Sequence, residues 1–556
     1  MTISTQLLNA AIAWRDADPD PATADALDQL VVQAQADDPA LAGPAITELT
    51  SAFAGPLEFG TAGLRGALGP GPARMNRVVV SQAAAGFAAW LNAQGHGGGT
   101  VIIGFDARYN SDVFARDTAE IMTGAGFEVL VTDQPTPTPV VAFGIQHYNC
   151  VAGVVVTASH NPPNDNGYKV YLGDGSQIVP PTDAEIAAEI AAVASRPLAD
   201  IARGDTWQVV GSDLIDAYCD RAASLVPAEA PRQVTWVYTA MHGVGAQVVR
   251  QAVQAAGFPA GIPVPEQIDP DPAFPTVAFP NPEEPGAIDL SLALASEQGA
   301  DLVIANDPDA DRCAVAAPIG GTWRMLSGDE LGSLIGHDFV ARAVPGRFAN
   351  SVVSSTLLRT MAEAAGREFV TTLTGFKWIG RVPDLAFGYE EAIGYCCDSR
   401  AVPDKDGITT ALTVLRIAAE LKAESLTLSD RLDEIALAHG VHATSQLSVR
   451  VADLSIIADA MARLRANPPS VLLGAPVQVH DLAQGSAELP PTDGVELTGE
   501  FVHVVARPSG TEPKLKCYLE VRVPRDETRA DLAAARQRAS ESIIALRDEM
   551  AKALGV

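Results

Sequence analysis

The chain has 556 residues, more than one hydrophobic core usually serves, so several domains of about 100–200 residues each are expected. Lys and Arg number 38 against 68 Asp and Glu, a formal charge of −30, and such a field repels nucleic acid and anionic membrane over most of the surface. With 47% hydrophobic and 19% charged residues, the composition is that of packed globular domains and excludes an extended disordered chain.

The amino terminus, Met1-Thr2-Ile3-Ser4-Thr5-Gln6-Leu7-Leu8, has no basic region ahead of an apolar one, and it soon meets Trp14-Arg15-Asp16-Ala17-Asp18. That is not a secretory signal. No stretch approaches 18 uninterrupted apolar residues, so no membrane span is expected. The periodicity then predicts a helix over 78–93, a buried strand at Val101-Ile102-Ile103-Gly104-Phe105-Asp106, a helix over 112–125, a strand over 127–132, a helix over 138–148 and a strand over 151–157. Strands alternating with helices of this length predict a largely parallel sheet, with ligands beyond the strand carboxyl ends. Ser159 falls at such an end.

A second unit is expected from Val234-Thr235-Trp236-Val237-Tyr238 through a helix at 245–256, a Pro-rich passage at 258–285 and a helix at 287–299. Its strand Asp301-Leu302-Val303-Ile304-Ala305 delivers Asp307. A third opens near Ser327-Gly328-Asp329-Glu330, places Gly375-Phe376-Lys377 and Gly388-Tyr389-Glu390-Glu391 in loops, and closes with a helix over 407–423. The last has strands around 501–505 and 515–521 flanking a Pro-Ser-Gly turn, then one long Ala-rich helix over 526–553. The expected boundaries are 1–210, which includes an N-terminal extension, then 211–326, 327–440 and 441–556. The six cysteines (Cys150, Cys219, Cys313, Cys396, Cys397 and Cys517) form no CxxC pair, and several sit in apolar runs. Buried reduced thiols in a cytoplasmic protein are expected.

The chemistry is concentrated in a few loops. Thr157-Ala158-Ser159-His160-Asn161-Pro162-Pro163 presents a hydroxyl without the Gly-x-Ser-x-Gly elbow of an esterase. In Asp307-Pro308-Asp309-Ala310-Asp311-Arg312 the carboxylates alternate, and Pro308 disfavours helix. Carboxylates gathered at about 4 Å repel by roughly 4 kcal/mol per pair at an effective dielectric near 20, which a divalent cation would reverse. Oxygen-only ligands select Mg²⁺ over zinc, and Arg312 and Pro318 stand where an EF-hand needs Gly and Glu. Arg507-Pro508-Ser509-Gly510-Thr511-Glu512-Pro513-Lys514 combines a guanidinium fork, hydroxyls and a glycine, which suits an anion. There is no Walker A sequence. Glu390 and Glu391 can accept hydrogen bonds from sugar hydroxyls, but as neighbours in extended chain they point opposite ways and cannot flank one glycosidic bond. A serine and a hard-cation cradle in one chain point to phosphoryl transfer. A phosphate substrate would need a local positive island in this acidic protein, for which Arg65, Lys169, Arg312, Lys377, Arg507, Lys514 and Lys516 are candidates.

Together with Phe59-Gly60-Thr61-Ala62-Gly63-Leu64-Arg65-Gly66, these loops make the chain resemble the α-D-phosphohexomutase superfamily, in its phosphoglucomutase-2-like branch, essentially end to end. The resemblance implies an α/β fold of four domains: three similar α/β domains and a smaller α+β C-terminal domain of the TATA-binding-protein-like type. It implies Ser159 as the phosphorylated residue and Asp307, Asp309 and Asp311 binding Mg²⁺ with it. Arg65, Lys169 and His160 would support transfer and proton movement. Arg312, Gly375, Lys377 and Glu390 would lie on the sugar side, and Arg507, Ser509, Gly510, Thr511 and Lys514 would hold the phosphate that does not react. The implied activity is interconversion of glucose 1-phosphate and glucose 6-phosphate, with glucose 1,6-bisphosphate as activator and intermediate. Mannose or pentose phosphates are the neighbouring substrates, and a metal-dependent sugar phosphatase is the alternative chemistry. Ala392, where many relatives have Ser, and Tyr395, where some have His, suit the phosphoglucomutase-2-like branch and leave the sugar and the general base open.

Overall fold

The amino-terminal fifty residues form helices Thr5–Ala17, Pro21–Ala34 and Pro39–Ala52 in the computed structural model, which describes residues 3–451, 453–487, 489–509 and 514–556. Two Asp-Pro pairs start the second and third of these helices. The carboxylates of Asp20 and Asp38 accept from the amides of Ala22 and Ala40, while the prolines fill first-turn positions where no amide is needed. Leu27, Val31, Ile46 and Leu49 form a small core of their own.

Contacts divide the chain into two units. One comprises Met1–Pro227, Thr235–Cys313 and Arg400–Leu412, the other Ala228–Val234, Ala314–Ser399 and Thr413–Val556. In the first unit, a six-stranded sheet runs in the order Leu64–Ala67, Asp165–Leu172, Ala152–Val156, Thr100–Phe105, Glu128–Thr132, Gln208–Val210. Its last four strands are mutually parallel. Val101, Ile102 and Ile103 are fully buried, as a continuous apolar run in a sheet covered on both faces requires. The strand Asp165–Leu172 returns antiparallel to Ala152–Val156, so residues 157–164 form the connection at the strand's carboxyl end. A parallel trio follows, with Trp236–Thr239 between Leu302–Asn306 and Ile262–Pro263, and Asp307 comes directly after its strand.

The second unit holds a four-stranded sheet ordered Phe369–Thr372, Arg347–Ser351, Leu385–Glu390, Gly394–Cys396. It also holds a six-stranded antiparallel sheet from Val441–Arg450 to Lys514–Val523, packed against helices Ser455–Ala466 and Leu532–Leu554. The long terminal helix expected from composition is two helices, Arg525–Ala530 and Leu532–Leu554. Asp531 is extended between them and its carboxylate caps the second by accepting from Ala534; a short polar side chain competes for backbone amides better than it continues a helix. Two loops expected from sequence are regular structure: Gly388 to Glu390 belong to strand Leu385–Glu390, and Lys377 lies in a one-turn helix, Phe376–Ile379, whose N-cap is Gly375. All six cysteines are buried and none is in a disulfide, and no helix among the described residues is long and apolar enough to cross a membrane.

One buried carboxyl in the second unit makes stability depend on pH. Asp329 accepts from the Ser355 amide at 2.7 Å and the Tyr389 hydroxyl at 3.0 Å. Burial pushes it up to about 7, and nearby Glu391 and Glu520 add to the rise against the Ser355 amide. A carboxyl raised on folding binds its proton more tightly in the native state. Its cost is therefore absent below about pH 4, grows as pH rises, and is complete above about pH 7, at up to roughly 4 kcal/mol for three units. Asn keeps the acceptor oxygen and cannot ionise. Asp329→Asn should raise the denaturation midpoint at pH 8 by the equivalent of about 1–3 kcal/mol and leave it nearly unchanged at pH 4; urea titrations at the two pH values measure the difference.

Candidate active site

The first unit brings together the serine loop and the acidic turn that the sequence keeps 148 positions apart. Ser159 is buried, has φ of +52°, and donates through its Oγ to Asp307 Oδ2 at 2.8 Å. His160 Nδ1 lies 3.3 Å from the same Oγ. The Ser159 amide is held by Thr157 Oγ1 at 2.8 Å.

The acidic turn is shaped by its neighbours. Asn306 accepts from the Tyr238 hydroxyl and donates to the Arg312 carbonyl, closing the base of the turn. Pro308 receives the Val244 amide at its carbonyl. Gly243 lies so close that a β-carbon there would fall 2.3 Å from Pro308, and one on Gly407 would fall 2.2 Å from the Arg312 carbonyl. Neither position tolerates a side chain without moving the turn. Asp307, Asp309 and Asp311 are all fully buried, and one oxygen from each can be chosen so that all lie within 4.8 Å of one another.

Three cations balance these carboxylates. Lys169 Nζ reaches Asp309 at 2.6 Å and Asp311 at 2.8 Å, Lys405 Nζ reaches Asp311 at 3.2 Å, and Arg312 stands 3.9 Å from both Asp307 and Asp311. Burial pushes Asp307 well above the usual carboxylate range, with the like charges of Asp309 and Asp311 adding to it. For Asp311, burial acts upward but Lys169, Lys405 and Arg312 overcome it and hold the carboxyl below its usual range. Burial pulls the Lys169 ammonium down, yet Asp309 and Asp311 more than restore it, so its pKa is raised and it stays charged. His160 is driven well below its ordinary value by burial and by the Arg312 and Arg65 charges, and is neutral.

Asp309 Oδ1 and Asp311 Oδ1 are buried without a hydrogen-bond partner. Orphaned acceptors at a convergent, oxygen-only donor set fit a hard divalent cation, and the three aspartates would hold it.

Arg65 is partly buried beside this centre and donates to Asn161 Oδ1 at 3.4 Å; burial lowers its guanidinium while the Asp309 charge opposes that. Sequence reasoning did not single out Lys405, Asp404, Thr138 or Tyr171. Thr138 donates to Asp309 at 2.6 Å. Tyr171 and Gln177 both donate to Asp404, fixing the segment that carries Lys405. The signal for Lys405 was the charged run Asp404-Lys405-Asp406-Gly407 opening an otherwise apolar helix.

In the second unit, Glu390 is buried at the end of its strand. Glu391, just beyond the strand, accepts from Ser351 and Ser354 at 3.2 and 3.3 Å. Arg507 and Lys514 lie on adjacent antiparallel strands, and the Ser509 amide donates to the Lys514 carbonyl at 2.8 Å. Gly510 and Thr511 lie outside the described residues.

A buried serine against a metal-fit carboxylate cluster, with fixed cations around it, defines a phosphoryl-transfer enzyme of α/β build. The chain belongs to the phosphoglucomutase/phosphomannomutase family: residues 56–197, 216–320 and 327–437 match its alpha/beta/alpha domains I, II and III, and 447–537 its C-terminal domain. It is thus an isomerase that works as an intramolecular phosphotransferase, with the four-domain layout of that family. A Haemophilus influenzae protein named "Probable phosphomannomutase" is 46% identical over 458 residues, 81% of this chain and 93% of the relative. A Mus musculus protein named "Phosphopentomutase" is 35% identical over 576 residues, covering 92% of this chain and 89% of the relative. A solved structure of a phosphomannomutase-like protein from Thermus thermophilus matches with a TM-score of 0.69 at 25% identity, over 88% of this chain and 99% of that one.

Asp309→Asn removes one charge and half of the oxygen donors at the middle ligand. Titration of the purified protein with Mn²⁺, followed by electron paramagnetic resonance of the free ion, should show affinity reduced by roughly tenfold or more; an unchanged isotherm would mean that the cation is not held here.

Proposed function

We propose that the chain interconverts α-D-glucose 1-phosphate and glucose 6-phosphate through a phosphorylated Ser159 and glucose 1,6-bisphosphate, with Mg²⁺ as the bound cation. The observation that carries the reading is the Ser159 Oγ at 2.8 Å from Asp307, inside a cluster of buried aspartates. A hydroxyl in that setting is a phosphoryl acceptor and donor rather than an acyl nucleophile, because its neighbours supply positive charge and a cation site instead of a triad.

In the first half-reaction the Oγ–P bond of phosphoserine breaks as a bond forms from phosphorus to the free hydroxyl oxygen of the sugar monophosphate. The proton leaving that hydroxyl ends on Ser159 Oγ. Neutral His160, 3.3 Å from Oγ, is placed to carry it while Asp307 is engaged in the cation site, whereas charged Lys169 serves as a fixed cation together with Arg65 and Arg312. A magnesium ion on the three aspartates would supply further neutralisation of the transferring group. The second half-reaction runs in reverse from the other phosphate of the bisphosphorylated sugar, restoring phosphoserine.

For the second unit the motifs support sugar contacts by Gly375, Lys377 and Glu390, and retention of the non-reacting phosphate by Arg507, Ser509, Gly510, Thr511 and Lys514. The domain boundaries near 210, 326 and 440 belong to the same proposal, as does a cytoplasmic location. Mannose phosphates are the second reading, favoured by the name of the 46% identical relative.

The test compares glucose 1-phosphate, mannose 1-phosphate and ribose 1-phosphate in one assay with Mg²⁺ and a trace of glucose 1,6-bisphosphate. Fastest conversion of glucose without release of inorganic phosphate is expected. A preference for mannose or ribose would move the substrate, and stoichiometric phosphate release would replace the mutase with a phosphatase. Ser159→Ala should fold normally and retain below about 1% of turnover; activity above that level would remove the serine from the mechanism.

A further inference from the structure

The serine loop is wrapped around one buried cation that no part of the mechanism above uses. Arg108, 4% exposed, lies between strand Thr100–Phe105 and helix Ser111–Gly124. Its Nη2 donates to the carbonyls of Ser159 and Asn161, each at 2.6 Å. Its Nη1 donates to those of Pro162 at 2.7 Å and Asp165 at 3.2 Å. Four carbonyl oxygens of one short segment thus point at one guanidinium. Their dipoles repel without a positive fork at the centre, and Lys cannot span them, because its three donors radiate from one atom. The fork is aimed by Asp106, which faces Arg108 Nε at 3.4 Å and accepts from the Arg108 amide and Ser111 Oγ.

One face of the guanidinium is covered by a strained residue. The Arg108 guanidinium carbon lies 4.9 Å from the centre of the Phe274 ring. Phe274 is 3% exposed and has φ of +46°, a left-handed conformation that a bulky side chain adopts only where its surroundings compel it. Hydrogen bonds from the Phe274 amide to Asp271 and from the Val277 amide to Phe274 hold that turn, and the Asp271 amide ties it to His242. Ser159 is itself left-handed, so two strained residues touch one arginine, Ser159 through its carbonyl and Phe274 through its ring.

We infer that Arg108, seated against Phe274, is a positioning residue for phosphoryl transfer: it holds the serine loop in the conformation that aims Ser159 Oγ at Asp307, and it does so through backbone carbonyls without contacting substrate. The inference rests on Ser159 being the residue that carries the phosphoryl group.

Wild-type turnover is measured first. Its absence would defeat the functional reading, whereas the positioning role is read from the variants. Arg108→Lys keeps the charge and loses the fork. Its kcat should fall about 100-fold, the scale of a misplacement of about 1 Å, with KM for the sugar phosphate nearly unchanged. Binding of Mn²⁺ alone should be that of the wild type, since Arg108 donates to no aspartate of the metal turn. Arg108→Ala should be slower still, and added guanidinium should restore part of its kcat where ammonium at the same concentration does not. Phe274→Leu, which leaves the arginine in place, should lose about tenfold in kcat and serves as the deciding variant should both Arg108 variants fail to fold. Wild-type kcat in Arg108→Lys, a rise in KM alone, a folded Arg108→Ala that guanidinium does not improve, or an unaltered Phe274→Leu would overturn the assignment.

Discussion

Everything in the candidate site is organised by the cost of burying three carboxylates on one five-residue turn. At separations near 5 Å and an effective dielectric near 20, each pair repels by about 3 kcal/mol, and burial adds a desolvation penalty that no nearby solvent relieves. The surrounding protein answers with Lys169, Lys405 and Arg312, and it directs the Ser159 hydroxyl to the same cluster. The response of the carboxyls is uneven: Asp311, next to two ammonium groups, is held low, while burial and then the charges of Asp309 and Asp311 drive Asp307 high. A divalent cation would favour the ionised form of Asp307. Burial keeps His160 neutral, and the Arg312 and Arg65 charges beside the aspartates add to that effect.

The chemistry is legible in the sequence where it is local. Asp307-Pro308-Asp309-Ala310-Asp311 reads as a turn because Pro308 removes a donor and alternating carboxylates share a face, and the turn forms directly after the strand assigned to it. Period alone places Ser159 at a strand's carboxyl end. What the sequence could not show is which distant groups answer the buried charge. Lys405 lies far along the chain from Asp311, and Arg108 reaches Ser159 from an earlier turn, so neither announces itself by spacing. A local cap also overrides the helical pattern at Asp531, whose carboxylate splits an Ala-rich run into two helices. At Gly388-Tyr389-Glu390, glycine and charge suggest a loop, yet the segment pairs on both sides as a strand.

The second unit follows a different economy. One of its buried carboxyls is fully partnered: Glu520 accepts from Ser355 and Thr356 and pairs with His442 at 3.0 Å. Burial would raise that carboxyl, but His442 and the Ser355 hydroxyl bring it down to about 2. A group lowered on folding adds stability above about pH 4.5 and loses it as pH falls toward 2, the reverse of Asp329. This contrast separates carboxyls lowered on folding, which lock structure, from carboxyls raised on folding, and Asp307 belongs to the second kind. The acceptors left without a donor on the same turn, Asp309 Oδ1 and Asp311 Oδ1, would suit a cation.

In the proposed reaction the phosphoryl group passes through Ser159. Peptide mass spectrometry of the wild-type protein after brief incubation with glucose 1,6-bisphosphate and Mg²⁺ tests it most directly. A single phosphoryl group on the Ser159 peptide, discharged when glucose 6-phosphate is added in excess, is the predicted result. Phosphorylation confined to another residue, or a Ser159 phosphate that persists in the presence of acceptor sugar, would contradict it.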